Sequence, residues 1–135
     1  MYLVIKNTTQ GKSMVEITIQ IKNADQIREF LKTRPQETKH QLNLAVAKTV
    51  KDVERETKKR SPVDTGRMRA SVQSREYPSV LEGEVGVHTS YAIFVHENLR
   101  ARHSVGEAKF LENAVRHLES KIQGFFLQAM ENVIK

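Results

Sequence analysis

Two hydrophobic periods in succession set what this chain can fold into. Val15, Ile17, Ile19 and Ile21 alternate with Glu16, Thr18 and Gln20, and period-two spacing of β-branched residues marks a strand with one buried face. Further along, Leu42, Val46, Val50 and Val53 recur every three or four residues beside Ala45 and Ala47, which is one apolar stripe on a charged helix. Neither pattern survives exchange for the other, because a change of period moves the apolar set into water. The chain must therefore hold both a sheet and a long helix, each burying one side.

The remaining segments attach to these two. Tyr2 to Ile5 is a short apolar run followed by the turn-rich Asn7-Thr8-Thr9-Gln10-Gly11, so a first hairpin is predicted over about 2–21. Asn23 or Asp25 can cap a short helix through Leu31, which Pro35 ends or re-starts. The long helix, about 36–60, stops at Ser61-Pro62, since a residue before proline avoids helical dihedrals. Thr57 continues its stripe weakly, and Lys58, Lys59 and Arg60 oppose the negative end of its dipole. Arg67 to Ser71 forms one helical turn. Val72 to Tyr77 and Glu84 to His88 read as a second hairpin over about 71–88, turning at Pro78 to Gly83. Tyr91 to Glu97 is a strand or a short helix, and Asn98 to Gly106 is an exposed loop. From Glu107, helical spacing of Phe110, Leu111, Ala114, Val115, Leu118, Ile122, Phe126 and Val133 predicts an amphipathic helix over about 107–134. The whole is an α+β fold: an antiparallel sheet built from hairpins, packed against two long amphipathic helices, in a single domain over 1–135.

The search for chemistry excludes more than it finds. There is no cysteine, which removes disulfides, thiolate metal sites and cysteine nucleophiles together. No Gly-x-Ser-x-Gly elbow and no glycine-rich phosphate loop occurs. His88, His96, Glu97 and His103 form the best metal or acid–base cluster, and a metal-dependent nuclease is the reaction they would suit. Their spacing matches no helical ligand pair, and adjacent His96 and Glu97 are expected to diverge. Glu107, Glu112 and Glu119 read as exposed helix charges rather than a paired-carboxylate site. No catalytic residue, metal site or cofactor is expected, and so no enzyme. The first twelve residues lack a signal peptide's pattern, and no apolar run is long enough for a membrane span, so a soluble chain made in the cytoplasm is expected.

Charge is uneven. Nine of the basic residues but only four acidic ones fall between Lys48 and Arg75, which accounts for nearly all of the net +6. Lys58, Lys59, Arg60, Arg67 and Arg69 are thus the candidate DNA-facing group, in a contact that would be electrostatic and sequence-independent. The alternative use of the same residues is a solvated helix face.

One stretch is similar to something known. Pro62-Val63-Asp64-Thr65-Gly66-Arg67-Met68-Arg69-Ala70-Ser71-Val72 resembles the Pro-Val-Asp-Thr-Gly-x-Leu-x-x-Ser-Ile motif of tailed-phage tail-component, tail-completion, neck or minor capsid proteins. Met68 and Val72 replace leucine and isoleucine with little change of volume. In the order expected of that family come a helix before the motif, then Tyr91-Ala92-x-Phe94-Val95-His96-Glu97, then Phe110-Leu111-x-x-Ala114. The similarity runs from about Leu42 to Leu118. Where many members continue Glu-x-Gly-Thr, this chain has Glu97-Asn98-Leu99-Arg100, which suggests a different contact surface there.

The resemblance implies a structural protein of the head–tail junction. It would act as a homo-oligomeric ring, six- or twelve-fold, against portal or connector and tail proteins, around double-stranded DNA in transit. Its location would be the host cytoplasm during assembly and then the virion, with no membrane association. Pro62, Asp64, Thr65, Gly66, Met68 and Ser71 read as a fold motif: Pro62 fixes the chain leaving the helix, Asp64 or Thr65 caps the next turn, and Gly66 permits close or strained backbone. Met68 and Val72 pack inward. Arg100, Arg102 and His103, with the first hairpin, are the candidate assembly contacts.

Overall fold

The computed structural model describes residues 2–7, 15–22, 25–62, 66–89, 91–99 and 106–134. Strands β1 (Tyr2–Asn7) and β2 (Val15–Lys22) pair antiparallel in one-to-one register, from Tyr2 opposite Lys22 to Asn7 opposite Ile17. Helix α1 (Asp25–Thr33) is followed at once by α2 (Pro35–Arg60). Of the two options open at Pro35, the chain takes the re-start: Arg34 leaves the helical region at φ −140° and ψ 63°, and Pro35 opens α2, where its missing N–H is harmless. After α2 come the single turn α3 (Arg67–Ala70), strand β3 (Val72–Tyr77), a 3₁₀ turn at Pro78–Val80 and strand β4 (Glu82–Val87). Helices α4 (Ala92–Glu97) and α5 (Phe110–Ile134) complete the described chain.

All pairings are antiparallel, and the four strands lie in the order β1-β2-β4-β3. The fold is the α+β arrangement of hairpin-built sheet and two long helices. The hairpins meet through β2 and β4, where Val15, Ile17 and Ile19 stand opposite Val87, Val85 and Gly83. Helix α2 crosses β3 and β4 at very close range. A Cβ on Gly83 would lie 2.4 Å from Val50 Cγ1 and 2.8 Å from Val46 Cγ1, so the helix rests where a strand side chain would otherwise stand.

The core fills the space between α2, α5 and the β3–β4 pair. Leu42, Val46, Val50 and Val53 come from α2, Val72, Val85 and Val87 from the sheet, and Phe110, Leu111, Ile122 and Phe126 from α5, all buried. Each such side chain contributes about 1.5–3 kcal/mol through burial. The stripe extends beyond the apolar residues: Thr38, Thr49 and Thr57 are also buried. Thr49 donates to the Ala45 carbonyl at 2.8 Å within its own helix, and Thr38 to the Phe30 carbonyl at 3.2 Å, tying α1 to α2. At the far end the Arg34 guanidinium caps α5 by donating to the Val133 carbonyl, one of the acceptors a helix end leaves open.

Two boundaries differ from the sequence reading. The last helix starts at Phe110 rather than Glu107, because Gly106 and Lys109 both hold left-handed backbone, at φ 86° and 54°, which no α-helix accommodates. Strand β4 starts at Glu82, two residues before Glu84, since the 3₁₀ turn uses fewer residues than the predicted one. The segment Tyr91 to Glu97, open between strand and helix, is helical over Ala92–Glu97.

Candidate functional site

The residues of interest converge where α2 ends. Ser61 takes an extended conformation, φ −67° and ψ 138°, as a residue before proline must. It is fully buried, and its hydroxyl turns back to donate to the Lys58 carbonyl at 2.8 Å. The Arg69 side chain then reaches back from α3: Nη2 donates to the Ser61 carbonyl at 3.1 Å and Nε to Ser61 Oγ at 3.4 Å. The turn that follows α2 is thereby held against the helix it has just left.

The rest of the motif works the same way. Gly66 lies at φ 81°, immediately before α3, with none of the described residues within 4 Å of where a Cβ would stand. Of the two roles open to it, strained backbone is the one it fills. Met68 and Val72 are buried in the core. Ser71 Oγ donates to the Met68 carbonyl at 2.6 Å and accepts from the His88 N–H at 3.2 Å, joining α3 to the end of β4. Pro62 is half-buried, and Asp64 and Thr65 fall outside the described residues.

A second strand of chain closes on this joint from forty-five residues away. A Cβ on Gly106 would lie 2.5 Å from Ser61 C, Ser61 O and Pro62 N, so only glycine allows the contact. Next to it the Glu107 N–H donates to the Arg60 carbonyl at 2.9 Å, and Arg60 Nη1 donates to Glu107 Oε1 at 2.7 Å. Arg60 also donates to Glu56 at 2.8 Å. Glu107 above all, with Glu56, holds the Arg60 guanidinium above its ordinary range against the opposing effect of burial.

The chain then ties itself to α4. The Lys109 N–H donates to the His96 carbonyl at 2.7 Å, and its ammonium pairs with Glu97. His96 Nδ1 lies 2.9 Å from Glu97 Oε1. An ionised Glu97 can only accept, so Nδ1 carries the proton. These two side chains were expected to diverge; instead the Glu97 carboxylate folds back at the end of its helix to meet the imidazole. The ring of His96 is fully buried, stacked edge-on to Phe110 at 5.0 Å, and its Nε2 has no partner among the described residues. Burial lowers the His96 pKa more than Glu97 raises it, and Lys109 together with His96 lowers that of Glu97.

The other sequence candidates are dispersed. His88 is exposed at the end of β4 while His96 is buried, His103 falls outside the described residues, and no metal-holding group of side chains occurs among the described residues. Glu107 and Glu112 are half-buried in ion pairs rather than free on the helix, Glu112 meeting Arg116 at 2.8 Å. Of the candidate DNA-facing group, Lys58 pairs with Glu54 at 3.5 Å, Arg60 with two glutamates, and Arg69 with Ser61. Arg67 is also engaged, and Lys59 is exposed. Arg100 and Arg102, proposed for assembly, lie outside the described residues. The Gly106 and Glu107 contacts were not found from sequence; the glycine that ends the loop was their one signal.

The fold and this joint define a class of protein in which the marked residues hold the backbone together. The family described as "Bacteriophage HK97-gp10, putative tail-component" matches residues 25–97, more than half of the 135 residues. The chain belongs to this HK97-gp10-like family of phage proteins. No curated protein and no solved structure matches it significantly. No helix among the described residues is long and apolar enough to cross a membrane.

Proposed function

We propose that this chain is a non-enzymatic structural protein at the head–tail junction of a tailed phage or prophage. It works there as one subunit of a six- or twelve-fold ring between portal and tail proteins. The observation that carries the reading is the family match over 25–97, a segment whose end-of-α2 joint uses its polar side chains on its own backbone. Ser61, Arg69 and Ser71 all bond to neighbouring main chain, which builds a rigid subunit and leaves little for substrate chemistry.

Residues 98–106, where the sequence departs from the motif it resembles, are the proposed contact with neighbouring proteins, through Arg100, Arg102 and His103. Deleting residues 101–105 in the cognate phage tests this. Full heads and finished tails are expected to accumulate unjoined, while the purified variant keeps the wild-type circular dichroism spectrum. Infectious particles at the wild-type yield would overturn the assignment.

A further inference from the structure

Among the described residues the sheet has two unpaired edges, and their polarity matters. Four strands alternate in direction in the order β1-β2-β4-β3, and with an even number the two outermost strands run opposite ways. A second copy set beside the first in the same orientation therefore offers its β1 antiparallel to the first copy's β3. Antiparallel pairing is the more stable of the two ladders.

The two edges also match in length and regularity. Both β1 and β3 have six residues, Tyr2–Asn7 and Val72–Tyr77, neither with a proline or a glycine. Each pairs with its inner neighbour residue for residue, with no bulge. Natural edge strands are commonly blunted by prolines, bulges, extreme shortness or charged side chains; neither edge has a proline or a bulge, and the charges they carry are Lys6 on β1 and Arg75 and Glu76 on β3. On β3, Gln73, Arg75, Glu76 and Tyr77 are exposed.

Pleat phase agrees as well. Arg75 stands opposite Glu84, Glu84 opposite Thr18, and Thr18 opposite Lys6, so Tyr2, Val4 and Lys6 occupy the same alternate positions as Arg75. Aligned over all six residues, Arg75 of one copy meets Val4 of the next and Val72 meets Asn7. That register keeps both faces of the sheet continuous; a slip by one residue would invert them.

We propose that the partner at these edges is a second copy of this chain. Strand β3 of each subunit pairs antiparallel with β1 of the next, giving a closed ring with one uninterrupted sheet. Such a head-to-tail contact is the heterologous type that generates rings. The inference rests on the ring reading above and names its interface.

The chain has no cysteine, so introduced pairs report without background. Directly opposed residues have Cα atoms about 4.5–5.5 Å apart, inside the disulfide range of about 4.4–6.8 Å. Arg75→Cys combined with Val4→Cys, under mild oxidation, is expected to give a ladder on a non-reducing gel that ends at the ring number. Arg75→Cys with Tyr2→Cys or with Lys6→Cys covers registers slipped by two residues. Each single variant is expected to stop at a dimer. A discrete multimer by light scattering with no ladder from any of the three pairs would overturn the edge pairing and leave the ring standing. A monomer at every concentration would overturn the ring reading, and this inference with it.

Discussion

Gly66 and Gly106 both hold positive φ, at 81° and 86°, yet they answer to different constraints. At Gly66 a methyl group would meet no described residue within 4 Å, so Gly66→Ala brings backbone strain, about 1–2 kcal/mol. At Gly106 the same methyl would stand 2.5 Å from the Ser61–Pro62 peptide, adding an overpacking term and raising the total to about 2–5 kcal/mol. Denaturant unfolding of the two variants checks this, and equal losses would contradict the close approach. His96 gives a pH signature. Its imidazole is buried beside Phe110, with Glu97, Lys109 and Glu112 as the charged groups around it, and burial lowers its pKa. The unfolded chain therefore binds a proton more readily than the native one. The resulting stability is present above the unfolded histidine value of about 6.5 and is lost as pH falls below it toward the folded value. Unfolding free energy should decline between pH 7 and 5 in the wild type and decline less in His96→Phe. Parallel slopes would show that this ring does not titrate on unfolding.

Helix α2 is the element on which the others are hung. One face meets β3 and β4, another meets α5, its last turn meets Glu107, and the peptide just beyond it meets Gly106. Leu42 is fully buried and Leu44 is 43% exposed, so Leu42→Ala should remove about 2–5 kcal/mol while Leu44→Ala stays within about 0.5 kcal/mol. Thermal or urea unfolding of the pair checks that the helix presents the face described. Both long helices and the strands β2 and β4 were legible in the sequence because their apolar residues repeat with a clean period; β3, with only Val72 and Tyr77 apolar, was legible as the partner that β4 requires across the turn at Pro78. The joint was less so. That Met68 and Val72 pack inward followed from their motif, but Arg60 meeting Glu107 is a contact across forty-seven residues, and no local period encodes it. Thr57 and His96 were undervalued for a related reason: polar residues do not register in a hydrophobic stripe, although both are fully buried here. The helical state of Ala92–Glu97 was ambiguous because a short apolar run fits strand and helix alike.

At the scale of the molecule, the basic segment between Lys48 and Arg75 looks different once folded. Lys51, Arg55, Lys58 and Arg60 each face a carboxylate within 4.0 Å, so much of its charge is compensated locally. Binding to double-stranded DNA should accordingly be weaker than roughly micromolar at physiological salt and vanish as salt rises. Micromolar or tighter binding by an electrophoretic shift assay, falling steeply with salt, would favour DNA binding as the main role instead. The two sheet edges left unpaired among the described residues run in opposite directions, and the proposed role in a phage neck asks each copy to grip two neighbours. The mass in solution, by light scattering behind a sizing column, tests that directly. The account predicts one discrete species at six or twelve times the 15.5 kDa subunit; a monomer across the whole concentration range would contradict it.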